Sequence, residues 1–140
     1  MIQKYMVPRA QSPLPSLALL ALRLVAGTAF LIHGLPKIQH PFSWMGNSSM
    51  PAVLVAAAAV AEFFGGAAWI AGLLTPIFSL LIAATMSVAT YTHISRGDPF
   101  VGREGSYELA LVYGCISLVF LFCGPGSFSL DSMLFGKAKK

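Results

Sequence analysis

Charged residues are scarce in this chain. Of its 140 residues, 9 are Lys or Arg and 5 are Asp or Glu, whereas 56% are hydrophobic. The mean hydropathy is +0.75. A soluble domain of this length needs many more charged side chains to cover its surface. The composition therefore indicates an integral membrane protein, and the net charge of +4 is explained by membrane anchoring rather than by binding of nucleic acid.

Cysteine is equally scarce, because the chain contains only Cys115 and Cys123. Eight positions on one predicted helix correspond to about 12 Å along its axis. A disulfide needs Cα atoms within about 7 Å of each other. With no CxxC motif present, a dithiol redox relay is disfavoured, and both cysteines are predicted to be packing residues.

Long apolar runs dominate the sequence. Four of them approach or reach the ~20 residues that cross a hydrocarbon core of ~30 Å. Lipid cannot satisfy open backbone groups, and the runs do not alternate as barrel strands do, so helices are predicted. We expect an all-α, polytopic membrane protein: a bundle of four transmembrane helices in one domain over residues 1–140, with a basic tail at 132–140. The predicted helices cover about residues 16–38, 52–74, 76–94 and 107–123.

Basic residues give the expected orientation. Five lie near the termini and three near the first and third loops, so we expect both termini in the cytoplasm. The first loop, residues 40–50, carries Phe42 and Trp44 and is predicted to form a lid over an outer cavity. The terminal set is Lys4, Arg9, Lys137, Lys139 and Lys140, and the loop set is Lys37, Arg96 and Arg103.

Ionisable residues nevertheless occur inside or at the ends of the apolar runs. Each costs roughly 2.5 to 3.5 kcal/mol in the bilayer centre on insertion scales, so such groups usually face a bundle interior, pair with each other and serve a function. A polar site enclosed within the membrane is therefore predicted. The residues concerned are Arg23, His33, Glu62, His93 and Glu108.

Two of these charges are predicted to form an ion pair near the middle of the bilayer. Helical phase places one stripe of the first helix toward the bundle, made of Arg23, Gly27, Phe30, Gly34 and Lys37. Glu62 lies near the middle of the second helix. An Arg23–Glu62 pair would offset the desolvation of both groups, and it could equally be a structural pair that fixes helix register.

The other three residues, His33, His93 and Glu108, fall at matched depth in the outer leaflet under the expected topology. They could line one cavity. Lys37, Tyr91 and Tyr107 lie near the same level and add donors, acceptors and aromatic surface. This mixture suits a quinone head group or a similar polar aromatic ligand.

Metal chemistry is the alternative for the two histidines. Two imidazoles and a carboxylate could bind zinc or iron, and two histidines could ligate haem. No HxxxH or ExxH element supports either ligand set in this sequence. We therefore predict no metal site, and a quinone is favoured over haem as the cofactor.

Five motifs in this order resemble the DoxX family, over about residues 17–131. They are RLVAGTAFLIHGLPKI at 23–38, Glu62 with Gly65 and Gly66, GLLTP at 72–76, His93, and GPGSFSLD at 124–131.

The resemblance implies a small four-helix protein of the bacterial inner membrane, related to quinol oxidase and thiosulfate:quinone oxidoreductase subunits. Members are commonly labelled oxidoreductases by association. The family pattern carries Arg23, His33, Lys37, Glu62 and His93 onto this chain, together with Gly34.

These observations predict a membrane subunit of a redox system that binds a quinone-like molecule. His33 and His93 would hydrogen-bond the ligand carbonyls or exchange protons, Glu108 would orient a histidine, and Arg23 with Glu62 would fix the base of the cavity. No flavin, nucleotide or iron–sulfur motif is evident, so electrons must come from a partner protein.

Two alternatives remain open at this level. The chain could be a nonenzymatic scaffold or assembly factor whose buried charges specify helix packing. A small transporter or proton path is weaker, because four helices enclose little volume unless the protein forms a homo-oligomer.

Overall fold

Helices account for all the regular secondary structure in the described part of the chain. The computed structural model describes residues 11–46, 49–103 and 105–136. The first four helices match the four predicted runs. The fifth overlaps the start of the predicted tail. Residues 137–140 of that tail lie outside the described residues. The helices are α1 (Pro13–Gln39), α2 (Ala52–Ala71), α3 (Thr75–Ser95), α4 (Glu108–Cys123) and α5 (Leu130–Phe135).

Three of these helices are long and apolar enough to cross a membrane, namely α1, α2 and α3. Helix α4 is apolar but has 16 residues. At 1.5 Å per residue it is about 24 Å long, which is shorter than a typical hydrocarbon core. The chain is therefore a multi-pass helical membrane protein by length and composition, with three helices of spanning length and one shorter apolar helix.

Glycine and proline set the ends of the helices. Gly72 ends α2 in the left-handed conformation with φ of 65°, as glycine can do without a Cβ penalty. Pro76 lies in the first turn of α3, where its missing N–H costs nothing. The turn between these two antiparallel helices is consequently only a few residues long.

Glycines also bring α1 and α2 into close contact. A Cβ added at Gly66 would lie 2.7 Å from the carbonyl oxygen of Gly27, and one added at Gly34 would lie 2.6 Å from the backbone nitrogen of Phe63. Small residues at such positions allow helix backbones to approach in membranes. Arg23, Gly27, Phe30 and Gly34 are all buried, so the predicted inward stripe of α1 is confirmed.

An aromatic cluster forms the middle of the core. The ring of Trp69 packs edge-on against Phe30 at 5.3 Å and against Phe120 at 4.8 Å between centroids. Its indole Nε1 donates a hydrogen bond to the Ser79 hydroxyl at 3.0 Å. Phe30 also contacts the Tyr113 ring at 4.8 Å. These contacts join α1, α2, α3 and α4 at one level.

A polar cluster ties the chain together at the end of the bundle where α1 begins. The Arg23 guanidinium donates to the carbonyl oxygens of Pro125 at 2.7 Å, Phe128 at 3.0 Å and Ile70 at 3.3 Å. The Asp131 carboxylate accepts from the backbone N–H groups of Leu74 at 2.7 Å and Thr75 at 2.9 Å. The GLLTP and GPGSFSLD motifs therefore meet around Arg23 and cap α3.

Both cysteines are free thiols, as expected, but they are exposed rather than buried in the core. The prediction that they are packing residues is wrong. Cys115 and Cys123 lie on the outward-facing surface of α4, which the described neighbours leave uncovered.

Candidate functional site

A cavity of about 460 Å³ lies in the other half of the bundle, on the far side of the aromatic cluster from Arg23. Pockets of this size accommodate small organic ligands. Four of the predicted site residues line it: His33, Lys37, Glu62 and His93. The remaining walls are mostly apolar and aromatic, and include Phe30, Trp44, Met45, Met50, Met86, Leu109 and Tyr113.

Lys37 and Glu62 form an ion pair in the cavity wall. The Lys37 Nζ donates to both carboxylate oxygens of Glu62, at 2.7 and 2.6 Å. The Glu62 side chain is only 4% exposed and that of Lys37 is 24% exposed. A buried carboxylate needs such a partner, because its charge is otherwise uncompensated.

Trp44, in the loop that was predicted to form a lid, lies over this ion pair. The Lys37 Nζ lies 4.5 Å from the centroid of the Trp44 ring, a cation–π contact. The Trp44 Nε1 in turn donates to the carbonyl oxygen of Val55 at 2.9 Å. Lys37 thus connects the lid to the carboxylate on α2.

The predicted pairing of Arg23 with Glu62 is wrong. Arg23 donates to three backbone carbonyls, and Glu62 is bonded by Lys37. The reason is the register of the antiparallel α1 and α2 pair, which places Arg23 beside Ile70. Eight residues of α2, about 12 Å along its axis, separate Ile70 from Glu62.

His93 is bonded to Asp98 rather than to the predicted Glu108. The His93 Nδ1 lies 2.7 Å from the Asp98 Oδ2. Gly97, with φ of 81°, reverses the chain after α3, and the Asp98 N–H then donates to the His93 carbonyl at 3.1 Å. Glu108 is an exposed residue at the start of α4 and does not line the cavity. The Gly-Asp pair directly after the helix was the sequence signal for this contact.

The predicted tyrosines lie outside the cavity. Tyr91 is 72% exposed on α3, and Tyr107 packs against the Phe100 ring at 5.4 Å. Tyr113, on the inward face of α4, lines the cavity instead. Leu109, Ala110 and Tyr113 share helical spacing on α4, so the inward face of that helix could have been read from the sequence.

His33 lines the cavity at its edge, since it is also exposed on α1. Within residues 11–46, 49–103 and 105–136, its ring makes no hydrogen bond. In the same described part of the chain, no group of three or more His, Cys, Asp or Glu residues could hold a metal ion.

Comparison with known proteins identifies the family of the chain. The DoxX family model matches residues 18–94. The chain belongs to the DoxX family. The match contains Arg23, His33, Lys37, Glu62 and His93, whereas Asp98 and the closing GPGSFSLD segment lie beyond it.

Two relatives are similar to most of the chain. An uncharacterized protein of Haemophilus influenzae is 32% identical over 120 residues, which cover 83% of this chain and 90% of the relative. The Bacillus subtilis strain 168 protein named "Putative oxidoreductase CatD" is 32% identical over 125 residues, which cover 86% of this chain and 89% of that protein. No solved structure matches the chain.

Proposed function

We propose that this DoxX protein is a membrane subunit of a redox system and binds a quinone-like ligand in the cavity beside His33 and His93. The observation that carries the proposal is the lining of that cavity. Two imidazoles, the Lys37–Glu62 pair, Arg96 and a few hydroxyl groups interrupt walls that are mostly apolar and aromatic. A flat apolar ring with polar oxygens needs this combination of surfaces.

The residues present fit such a ligand. His33 and His93 supply the polar contacts, and neither has all its ring nitrogens occupied by described residues. Phe30, Trp44 and Tyr113 supply aromatic walls. A quinone would contribute reversible uptake of electrons and protons, while these side chains bind it, orient it and exclude water.

The proposal extends to the setting of the protein. We place residues 1–140 in one DoxX domain of the bacterial inner membrane, with α4 as a fourth, short span and with cytoplasmic termini. The chain has no evident flavin, nucleotide or iron–sulfur motif, so a redox partner protein would deliver or remove the electrons. The name of the Bacillus subtilis relative is in keeping with an oxidoreductase system.

Ligand titration tests the proposal directly. The protein in mild detergent is titrated with a short-chain benzoquinone while Trp fluorescence is recorded, because Trp44 lines the cavity. We expect saturable quenching, by the benzoquinone or by its hydroquinone form titrated in the same way, and a Kd of the form that binds raised about tenfold in His33→Ala and in His93→Ala, as loss of a hydrogen bond predicts. Tyr91→Ala is the control, since Tyr91 is 72% exposed outside the cavity. Quenching that does not saturate, or histidine variants that match the control, would refute it.

The scaffold alternative draws support from Arg23. Among the described residues, its hydrogen-bond partners are all backbone carbonyls, and it lies buried across the aromatic cluster from the cavity. A scaffold role predicts that Arg23→Gln abolishes recovery of a partner protein, whereas His33→Ala and His93→Ala leave cellular activity intact. The same variants therefore separate the two functions.

A further inference from the structure

We infer that Asp98 is a positioning residue that fixes the tautomer of His93, so that the cavity takes an aromatic ligand through a hydroxyl group rather than through a carbonyl. The inference rests on the proposed function and narrows its ligand to hydroxyl-bearing rings, such as a hydroquinone or a phenol. It is carried by the geometry around His93.

The first step concerns the two ring nitrogens. The Nδ1 of His93 lies 2.7 Å from the Asp98 Oδ2. An ionised carboxylate can only accept hydrogen bonds, and a neutral imidazole carries one hydrogen. In the neutral ring that hydrogen must be on Nδ1, because two lone pairs would otherwise face each other. Nε2 is then an acceptor.

The second step concerns the rigidity of the contact. The Asp98 N–H donates to the His93 carbonyl at 3.1 Å, and the Gly97 N–H donates to Ile94 at 3.0 Å. On the other side, a Cβ at Gly105 would lie 3.2 Å from the Asp98 Cγ. The carboxylate is therefore held between the end of α3 and the loop that leads to α4.

The third step concerns what Nε2 can bind. His93 lines the cavity, and its Nε2 has no hydrogen-bond partner among the described residues. An aromatic hydroxyl donates to such a nitrogen, whereas a quinone carbonyl would place one acceptor against another. Other donors in the wall, namely the third N–H of the Lys37 ammonium and the guanidinium of Arg96, can serve a carbonyl elsewhere in the cavity, but they do not change what Nε2 accepts. Nε2 therefore selects a ligand that carries a donor.

A set of three matched probes tests the selection on the full chain in mild detergent. They are 4-decylphenol, its methyl ether and decyl-benzoquinone, which share a planar six-membered carbon ring and a decyl tail. We expect the phenol to bind at least about tenfold more tightly than the ether, as one hydrogen bond predicts. The quinone, which has no donor for Nε2, should bind less tightly than the phenol.

Variants assign this selection to Asp98. In Asp98→Ala the ether-to-phenol ratio of Kd should fall toward one while the ether binds as before, which also shows that the cavity is intact. Asp98→Glu should restore part of the ratio. Glu108→Ala is the matched control, since it removes an exposed carboxylate that does not line the cavity. A ratio that survives in Asp98→Ala overturns the role of Asp98.

Nitrogen-15 NMR of the histidine rings reads the tautomer without any ligand. The His93 signals, assigned by their loss in His93→Gln, should show the Nδ1–H form in the wild type and a mixture of forms in Asp98→Ala. An Nε2–H or a doubly protonated ring at pH 7.5 overturns the inference. A quinone that binds as tightly as the phenol also overturns it but leaves the proposed function standing, whereas binding of none of the three probes refutes both.

Discussion

Substituting Gly66 by alanine tests the packing of α1 against α2 with the smallest available change. A Cβ at Gly66 would lie 2.7 Å from the Gly27 carbonyl oxygen, 2.7 Å from the Leu31 nitrogen and 3.0 Å from the Phe30 Cβ. Two of these neighbours are backbone atoms, which cannot rotate away. The two helices must therefore move apart along a seam that also positions Phe30 under the cavity.

The cost follows from two opposing effects. Overpacking a well-packed interface costs about 1 to 3 kcal/mol. Replacing glycine by alanine in a helix interior returns up to about 1 kcal/mol through helix propensity. We therefore expect Gly66→Ala to lower the free energy of unfolding by about 1 kcal/mol.

Gly114→Ala is the matched control that removes the propensity effect. Gly114 lies in the interior of α4, and a Cβ there would meet only the Met86 Cβ, at 3.7 Å, an ordinary contact. This variant should gain the propensity without the steric cost. The two variants should thus differ by the packing cost alone, about 1 to 3 kcal/mol.

Unfolding in mixed detergent micelles, followed by Trp fluorescence as the SDS fraction rises, measures both variants against the wild type. Trp69 is buried beside Phe30, so its emission reports the integrity of the seam. If Gly66→Ala is as stable as Gly114→Ala, the close α1–α2 contact does not exist in the membrane protein. The close contact of Gly34 on α1 with Phe63 on α2 would then be contradicted as well.

The same unfolding assay checks three electrostatic predictions. Lys37→Met should lower the free energy of unfolding by about 3 kcal/mol, because it leaves buried Glu62 unpaired. The double variant Lys37→Met with Glu62→Leu should recover at least half of that loss. Losses that simply add in the double variant would contradict the ion pair. Asp131→Ala should lower the free energy of unfolding by about 1 to 2 kcal/mol, because it removes the cap of α3. Asp131→Asn should lower it less, because one acceptor oxygen remains. Equal losses in the two variants would show that the cap does not stabilise α3. Arg23→Lys should lower the free energy of unfolding by about 2 kcal/mol, since an ammonium cannot span three carbonyls as a guanidinium does. A lysine variant as stable as the wild type would contradict that geometry.

Helix positions could be predicted from the sequence because membrane burial depends on composition. The run at 52–74 became Ala52–Ala71, and the run at 76–94 became Thr75–Ser95. The inward stripe of α1 was also predictable, because glycines and polar groups repeat at helical spacing. Each of these features depends on one segment alone.

Pairing between helices could not be predicted in the same way. Arg23 and Glu62 were each correctly predicted to face the bundle interior. Their partners, however, depend on the axial register of α1 against α2. That register is set by the contacts of Gly27 with Gly66 and of Gly34 with Phe63. Lys37 reaches Glu62 because a long side chain on a helix points back toward its N-terminus.

The carboxylate beside His93 was missed for a different reason. Glu108 and Asp98 both follow α3 within a short stretch, and depth in the membrane does not distinguish them. The left-handed conformation of Gly97 does, because it turns the chain back so that Asp98 lies beside the last turn of α3. A glycine directly after an apolar helix is therefore informative about the residue that follows it.

The structural unit extends beyond the segment that matches the DoxX model. That match ends at residue 94, yet Arg23 inside it donates hydrogen bonds to the carbonyls of Pro125 and Phe128 outside it. Asp131, also outside, caps the helix that carries His93. Because a buried guanidinium without its acceptors would be strongly destabilising, residues 18–94 could not keep this structure alone. The cavity leads to the same conclusion, since Tyr113 of α4 forms one of its walls.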